Sequence, residues 1–146
     1  MRKETAVLAG LRYASSPSFD LTLLLMMPYE RLHAWQRSHE LVLAIYQSTR
    51  DWPVDERYGL TIQARRAAVS VEANLAEGSA RLGGRELRRF ADISLGSLSE
   101  LSCLLRIARD LKYLSLEEFS RLDEMRNAAG KLMLGLARAA GRSTPR

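Results

Sequence analysis

LTIQARRAAVSVEANLAEGSAR, residues Leu60 to Arg81, is the most informative segment of this sequence. Its pattern favours one continuous helix, in which the polar residues fall within about 80° of one another. A solvated helix face is normally wide and rich in long charged residues, so a narrow mixed stripe indicates groups that are half-buried and bonded to one another. The polar stripe, flanked by alanine and valine, consists of Gln63, Arg66, Ser70, Asn74 and Glu77.

The polar stripe needs partners from another helix. Arg66 and Glu77 are separated by three helical turns, so they cannot bond to each other within one helix. Ser97 and Glu100 are candidate partners from the third helix, and we predict one polar network of all seven residues. The network would fix helix register or a subunit contact, with a functional pocket as the alternative. Catalysis by Ser70 is disfavoured because no histidine is placed to act as its base.

Three more helical segments surround this one, which we expect to end near Gly78. The first runs from Tyr29 or Arg31 to Asp51, and Pro53 forbids helix at the residue before it. The third runs from about Arg85 to Tyr113. The fourth begins at the capping-box sequence of residues 115–118 and ends near Gly141.

Four amphipathic helices with short connections predict an all-α fold, an antiparallel up-down four-helix bundle with a flexible N-terminal extension. Residues 1–28 form the extension, residues 29–142 the bundle and residues 143–146 a C-terminal tail. Two interpretations of residues 1–25 stay open: a flexible tail, or a segment upstream of a true start at Met26 or Met27. The residues predicted to be buried are Trp35, Ile45, Phe90, Leu101, Leu104, Phe119, Leu122 and Leu132.

Composition limits the classes of function. The 146 residues carry a net charge of +5 and a single cysteine, which excludes an internal disulfide and fits a cytoplasmic protein. No apolar run reaches transmembrane length, so we expect no membrane association. No metal-ligand spacing, phosphate loop or acid/base pair is present, so we expect no metal, no cofactor and no enzymatic activity.

A series of short motifs also runs in a fixed order through the first three helices and the turn that joins the first two. The motif residues are Leu32, Trp35, Gln36, Pro53, Glu56, Gly59, Leu60, Gln63, Arg66, Ala67, Ala68, Ser70, Asn74, Ala76, Glu77, Gly78, Arg89, Phe90, Gly96, Ser97, Glu100, Leu101, Tyr113 and Leu114. The chain from Tyr29 to Gly141 thereby resembles the 23S ribosomal RNA intervening-sequence proteins, a family of four-helix bundles. That family is similar to the accessory protein of diversity-generating retroelements, a homopentamer that binds nucleic acid and a reverse transcriptase. The resemblance implies a homo-oligomer, most simply a pentamer, with RNA or DNA and a protein as possible partners.

Basic residues form two sets that could contact phosphates. We predict a non-enzymatic, homo-oligomeric protein that binds nucleic acid electrostatically through both sets. An ordinary solvated face is the alternative interpretation of these residues, and a structural or protein–protein interaction module is the alternative function. The first set is Arg81, Arg85, Arg88 and Arg89; the second is Lys131, Arg138 and Arg142.

Overall fold

The computed structural model describes residues 25–142, so residues 1–24 of the predicted extension and the predicted tail lie outside the described residues. Four α-helices make up most of this part of the chain: α1 (His33–Ser48), α2 (Leu60–Ala80), α3 (Gly84–Asp110) and α4 (Leu116–Arg142). Short 3-10 turns at Pro28–Arg31, Thr49–Asp51 and Val54–Glu56 precede or follow α1. Between residues 25 and 142 no helix is long and apolar enough to span a bilayer.

The helices pack as an antiparallel bundle. Each helix packs against those before and after it in the chain, and α4 closes the bundle by packing against α1. Between α2 and α3, Gly78 lies against Phe90 while Ser70 bonds to Ser97, so the two helices run in opposite directions. The predicted all-α four-helix bundle is confirmed.

The helix ends show where local chemistry sets the boundaries. The Ser115 hydroxyl accepts a hydrogen bond from the Glu118 N–H (3.1 Å), which caps α4 as predicted. Helix α3 ends at Asp110, before the predicted Tyr113, because Lys112 adopts a φ of 66°. The Tyr113 N–H then bonds back to the Ala108 carbonyl (2.8 Å), a Schellman-type ending.

The core matches much of the expected burial but differs on α4. Ile45, Phe90, Leu101 and Leu122 are buried, whereas the predicted core residue Leu132 is 39% exposed. Leu132 lies at the rim of a groove between α1 and α4. Helix α4 packs against both α1 and α3, so its core-facing residues lie between these two contact faces, and Leu132 falls outside them. Trp35, Leu104 and Phe119 are partly exposed and pack against the core, whose further members include Leu98, Leu105 and Met133.

Candidate nucleic-acid interface

The end of α2, the start of α3 and the end of α4 meet at one end of the bundle, which we call the basic end. Gly83 has a φ of 95° and turns the chain sharply from α2 into α3. Gly84 then approaches α4 so closely that an added Cβ would lie 2.5 Å from the Ala140 carbonyl oxygen. These two glycines bring the first basic set beside the second.

Two arginines of the first set are held on Phe90. The guanidinium carbons of Arg81 and Arg89 lie 5.4 Å and 5.6 Å from the Phe90 ring centroid. Each is also paired with a carboxylate of its own helix, Arg81 with Glu77 at 2.5 Å and Arg89 with Glu86 at 3.5 Å. Because these pairs are exposed, each stabilises the fold by at most about 1 kcal/mol and can exchange for another anion.

The other two arginines of the first set have no acidic partner among the described residues. Arg85 and Arg88 are exposed and, with Arg89, line a shallow depression of the surface. A Cβ built on Gly141 would lie 2.6 Å from Nη1 of Arg88, so Arg88 lies directly against the end of α4. Arg88 therefore connects the first basic set to the second.

The second set is exposed along the outer side of α4, and its members form no ion pair within residues 25–142. Arg142 follows Gly141 directly, and Arg138 lies about one turn before Arg142, so both lie in the last two turns of α4, the end of the helix that Arg88 contacts. Lys131 lies about 16 Å farther along the axis than Arg142 and borders the apolar groove between α1 and α4. The structure thus brings six of the seven predicted basic residues to one end and leaves Lys131 apart.

Charge is distributed unevenly between the two halves of the bundle. The half that contains the basic end, residues 25–46, 69–101 and 126–142, has ten basic and seven acidic residues. The half at the opposite end, residues 47–68 and 102–125, has eight of each. The positive excess of the described chain, +3, therefore lies entirely in the half with the basic end.

The polar stripe of α2 assembles in its middle alone. The Ser70 and Ser97 hydroxyls bond across α2 and α3 (2.9 Å), and the Asn74 amide donates to the Ser70 hydroxyl (3.0 Å). Gln63, Arg66 and Glu100 are exposed, and their side chains form no hydrogen bond or ion pair with any described residue, while Glu77 pairs with Arg81. The expectation of seven mutually bonded groups therefore needs correction in the single chain. Gln63 lies about two turns before Ser70 on α2 and Arg66 about one turn before it, and no α3 side chain bonds to either of them.

Sequence reasoning missed the structural role of Phe90. The Phe90 side chain is 7% exposed, and two guanidinium groups lie over its ring. One of them, that of Arg81, comes from nine residues earlier in the chain, before the bend at Gly83. No local spacing rule pairs residues across such a bend. Elsewhere, His39 Nδ1 lies 2.9 Å from Glu72, and no group of three potential metal ligands occurs in the described part of the chain.

Comparison with known proteins identifies the family to which this chain belongs. A crystal structure of a protein of unknown function from the S23 ribosomal protein family of Bacteroides thetaiotaomicron has the same fold, with a TM-score of 0.66 at 16% identity, covering 71% of this chain and 97% of that one. No curated protein matches the chain. The family model for the 23S rRNA-intervening sequence protein matches residues 30–135. Because that match covers most of the sequence, the chain belongs to the 23S rRNA-intervening sequence protein family.

Proposed function

We propose that this protein is a non-enzymatic, homo-oligomeric accessory protein that binds the phosphate backbone of RNA or DNA through its basic end. One observation carries the proposal: Arg88, which has no acidic partner among the described residues, lies against Gly141 and joins the two basic sets into one surface. Cations without acidic partners are available to neutralise phosphates, and the release of condensed counterions then favours binding.

The chemistry of this surface favours backbone contact over base recognition. Aromatic rings that bind single strands must be exposed for stacking, and Phe90 is 7% exposed beneath its two arginines. Arg85, Arg88 and Arg142 instead offer exposed guanidinium groups that suit phosphate oxygens. We therefore expect binding that is indifferent to sequence and sensitive to salt.

Assembly would raise the affinity of such a surface. One described chain carries a net charge of +3, which contributes few phosphate contacts. Several copies in one particle multiply those contacts, and tethered contacts raise avidity without any new interaction. A pentamer is the subunit number that the family resemblance implies, and light scattering at micromolar concentration tests it.

Binding of labelled RNA and DNA of about 20 nucleotides at about 50 mM salt tests the proposal. Arg85→Glu/Arg88→Glu should reduce affinity more than tenfold. The matched control is Arg50→Glu/Arg57→Glu, which makes the same change of charge with exposed arginines at the opposite end. Absence of wild-type binding, or equal losses in the two double variants, contradicts the proposal.

A protein-interaction module with no nucleic-acid role is the second candidate function. Exposed apolar side chains favour it, among them Ile62 and Val69 on α2. Such a module should retain its oligomeric mass while showing no salt-dependent binding to either nucleic acid. The same titrations therefore discriminate the two functions.

A further inference from the structure

The outer face of α2 is apolar although it faces away from the bundle. Ile62 is 38% exposed and Val69 36% exposed, and Ala73 and Ala80 are exposed beside them. At about 100° per residue these four side chains share one side of the helix. A surface helix normally presents long polar side chains there, so α2 has one apolar face toward the core and another without a partner in the chain.

Two opposite charges lie along one edge of this outer face. Arg66 and Glu77 are both exposed, and about 16 Å of helix axis separates them, so they cannot pair within one chain. The Arg66 side chain has no hydrogen bond or ion pair among residues 25–142. Glu77 has one partner, Arg81, and its side chain is 49% exposed, so one carboxylate oxygen can accept a second donor.

We infer that the outer face of α2 binds a second copy of this chain, with Arg66 of one copy paired with Glu77 of the other. The inference deepens the homo-oligomer of the proposed function by naming its contact. When two α2 helices lie antiparallel with their midpoint between Val71 and Glu72, the charged residues meet in reciprocal pairs, and Val69 lies within one residue of the level of Ala73 in the other copy. That antiparallel pair is closed and gives a dimer, whereas a staggered head-to-tail arrangement makes the same pair once per contact and forms a ring only if the rotation between copies closes.

The character of the face favours a second copy over other occupants. It carries one cation and one anion of its own, so it has no charge excess that would select nucleic acid or an acidic protein. Its alanines allow the backbones of two helices to approach, while Ile62 and Val69 supply the apolar area that burial requires. A patch with both charges is complementary to itself.

Charge exchange tests the contact because Arg66 and Glu77 can meet only between copies. Arg66→Glu and Glu77→Arg should each weaken assembly about tenfold or more, measured by sedimentation velocity across micromolar concentrations. The double variant Arg66→Glu/Glu77→Arg should restore the wild-type mass. Val69→Lys, which leaves both charges in place, should also weaken assembly, and circular dichroism should show unchanged helicity in all four variants.

Each outcome has a separate meaning. A wild-type oligomer whose mass survives both single exchanges, or a double variant that stays dissociated, overturns the contact and leaves the proposed nucleic-acid function standing. A wild-type monomer at these concentrations overturns both the contact and the proposed homo-oligomer. If Arg85→Glu/Arg88→Glu loses nucleic-acid binding while its oligomeric mass stays intact, the result supports binding at the basic end independently of the contact between α2 helices.

Discussion

The two ends of the bundle differ in charge balance, although each has both paired and unpaired arginines. At the opposite end Arg121 makes a bidentate pair with Glu118 (2.9 Å and 2.7 Å), and Arg109 bonds to Asp110 (2.8 Å) and lies over Phe119. At the basic end Arg85 and Arg88 have no such partner within the described chain. Arg50 and Arg57 at the opposite end also form no ion pair among the described residues, so single pairs do not separate the two ends. The half with the basic end differs in its charge balance, with ten basic and seven acidic residues against eight of each in the other half.

Both ends of the bundle have close contacts between their elements. At the opposite end Trp52 is buried beside Tyr113, with ring centroids 6.2 Å apart. At the basic end Gly78 and Gly84 bring helices into close contact through Phe90 and the Ala140 carbonyl. We infer that both ends are held by packing, so the arginines at the basic end can be changed without unfolding the protein.

Trp52→Ala should have a larger effect on stability than any change at the basic end. Removal of a buried indole at the opposite end should lower the free energy of unfolding by about 3–5 kcal/mol. Arg85→Glu/Arg88→Glu at the basic end should change it by less than about 0.5 kcal/mol, since exposed side chains contribute little. Urea denaturation measures both. Comparable losses in the two variants would show that the arginines of the basic end stabilise the fold.

Gly78→Ala should be the next most destabilising change. Its Cβ would lie 2.5 Å from the Phe90 Cβ, an atom bonded to the α3 backbone, so we expect a loss of about 1–3 kcal/mol. Gly96→Ala is the matched control, because an added Cβ there has no contact within 4 Å and should stabilise the helix by about 0.5–1 kcal/mol. Thermal unfolding of both variants tests the close approach of α2 and α3. A neutral Gly78→Ala variant would contradict it.

Lys112→Gly should stabilise the opposite end slightly. Lysine at a φ of 66° is strained, and glycine adopts this conformation freely, so we expect a gain of about 0.5–1 kcal/mol. Lys112→Ala removes the same charge but keeps the strain, and should give no such gain. Chemical denaturation distinguishes the two, and equal effects would assign the change to charge instead.

The smallest expected effect is the loss of stability at low pH when the Glu118–Arg121 ion pair at the opposite end is broken. Hydrogen bonds from Arg121 lower the pKa of Glu118, so its pairing stabilises the fold above the unfolded pKa and is lost as pH falls through the folded pKa. Glu118→Gln should therefore lose a few tenths of a kcal/mol near neutral pH and converge with wild type once the pH falls below the lowered pKa of Glu118. Glu117→Gln, an exposed neighbour without an ion pair among the described residues, serves as control. A constant difference from pH 7 to pH 3 would contradict a stabilising role for the ionised Glu118 carboxylate.

The sequence predicted elements with local signals better than contacts between elements. The four helices and the cap of α4 at Ser115 could be recognised, because each depends on residues a few positions apart. The exposure of Leu132 depends on where α1 lies, and the meeting of Arg88 with Gly141 joins residues 53 positions apart. The exposed position of Arg66 likewise depends on which α3 residues lie level with it. Periodicity defines a helix face but not its partner, so these features needed the structure.

The salt dependence of nucleic-acid binding tests the central claim most directly. Arg85→Gln/Arg88→Gln removes two cations without adding anions, so the slope of log affinity against log salt should fall in magnitude by about 0.7–0.9 for each phosphate that is no longer neutralised. Arg50→Gln/Arg57→Gln, at the opposite end, should leave the slope at its wild-type value. A slope that is unchanged in the first variant, or reduced equally in both, would contradict binding at the basic end.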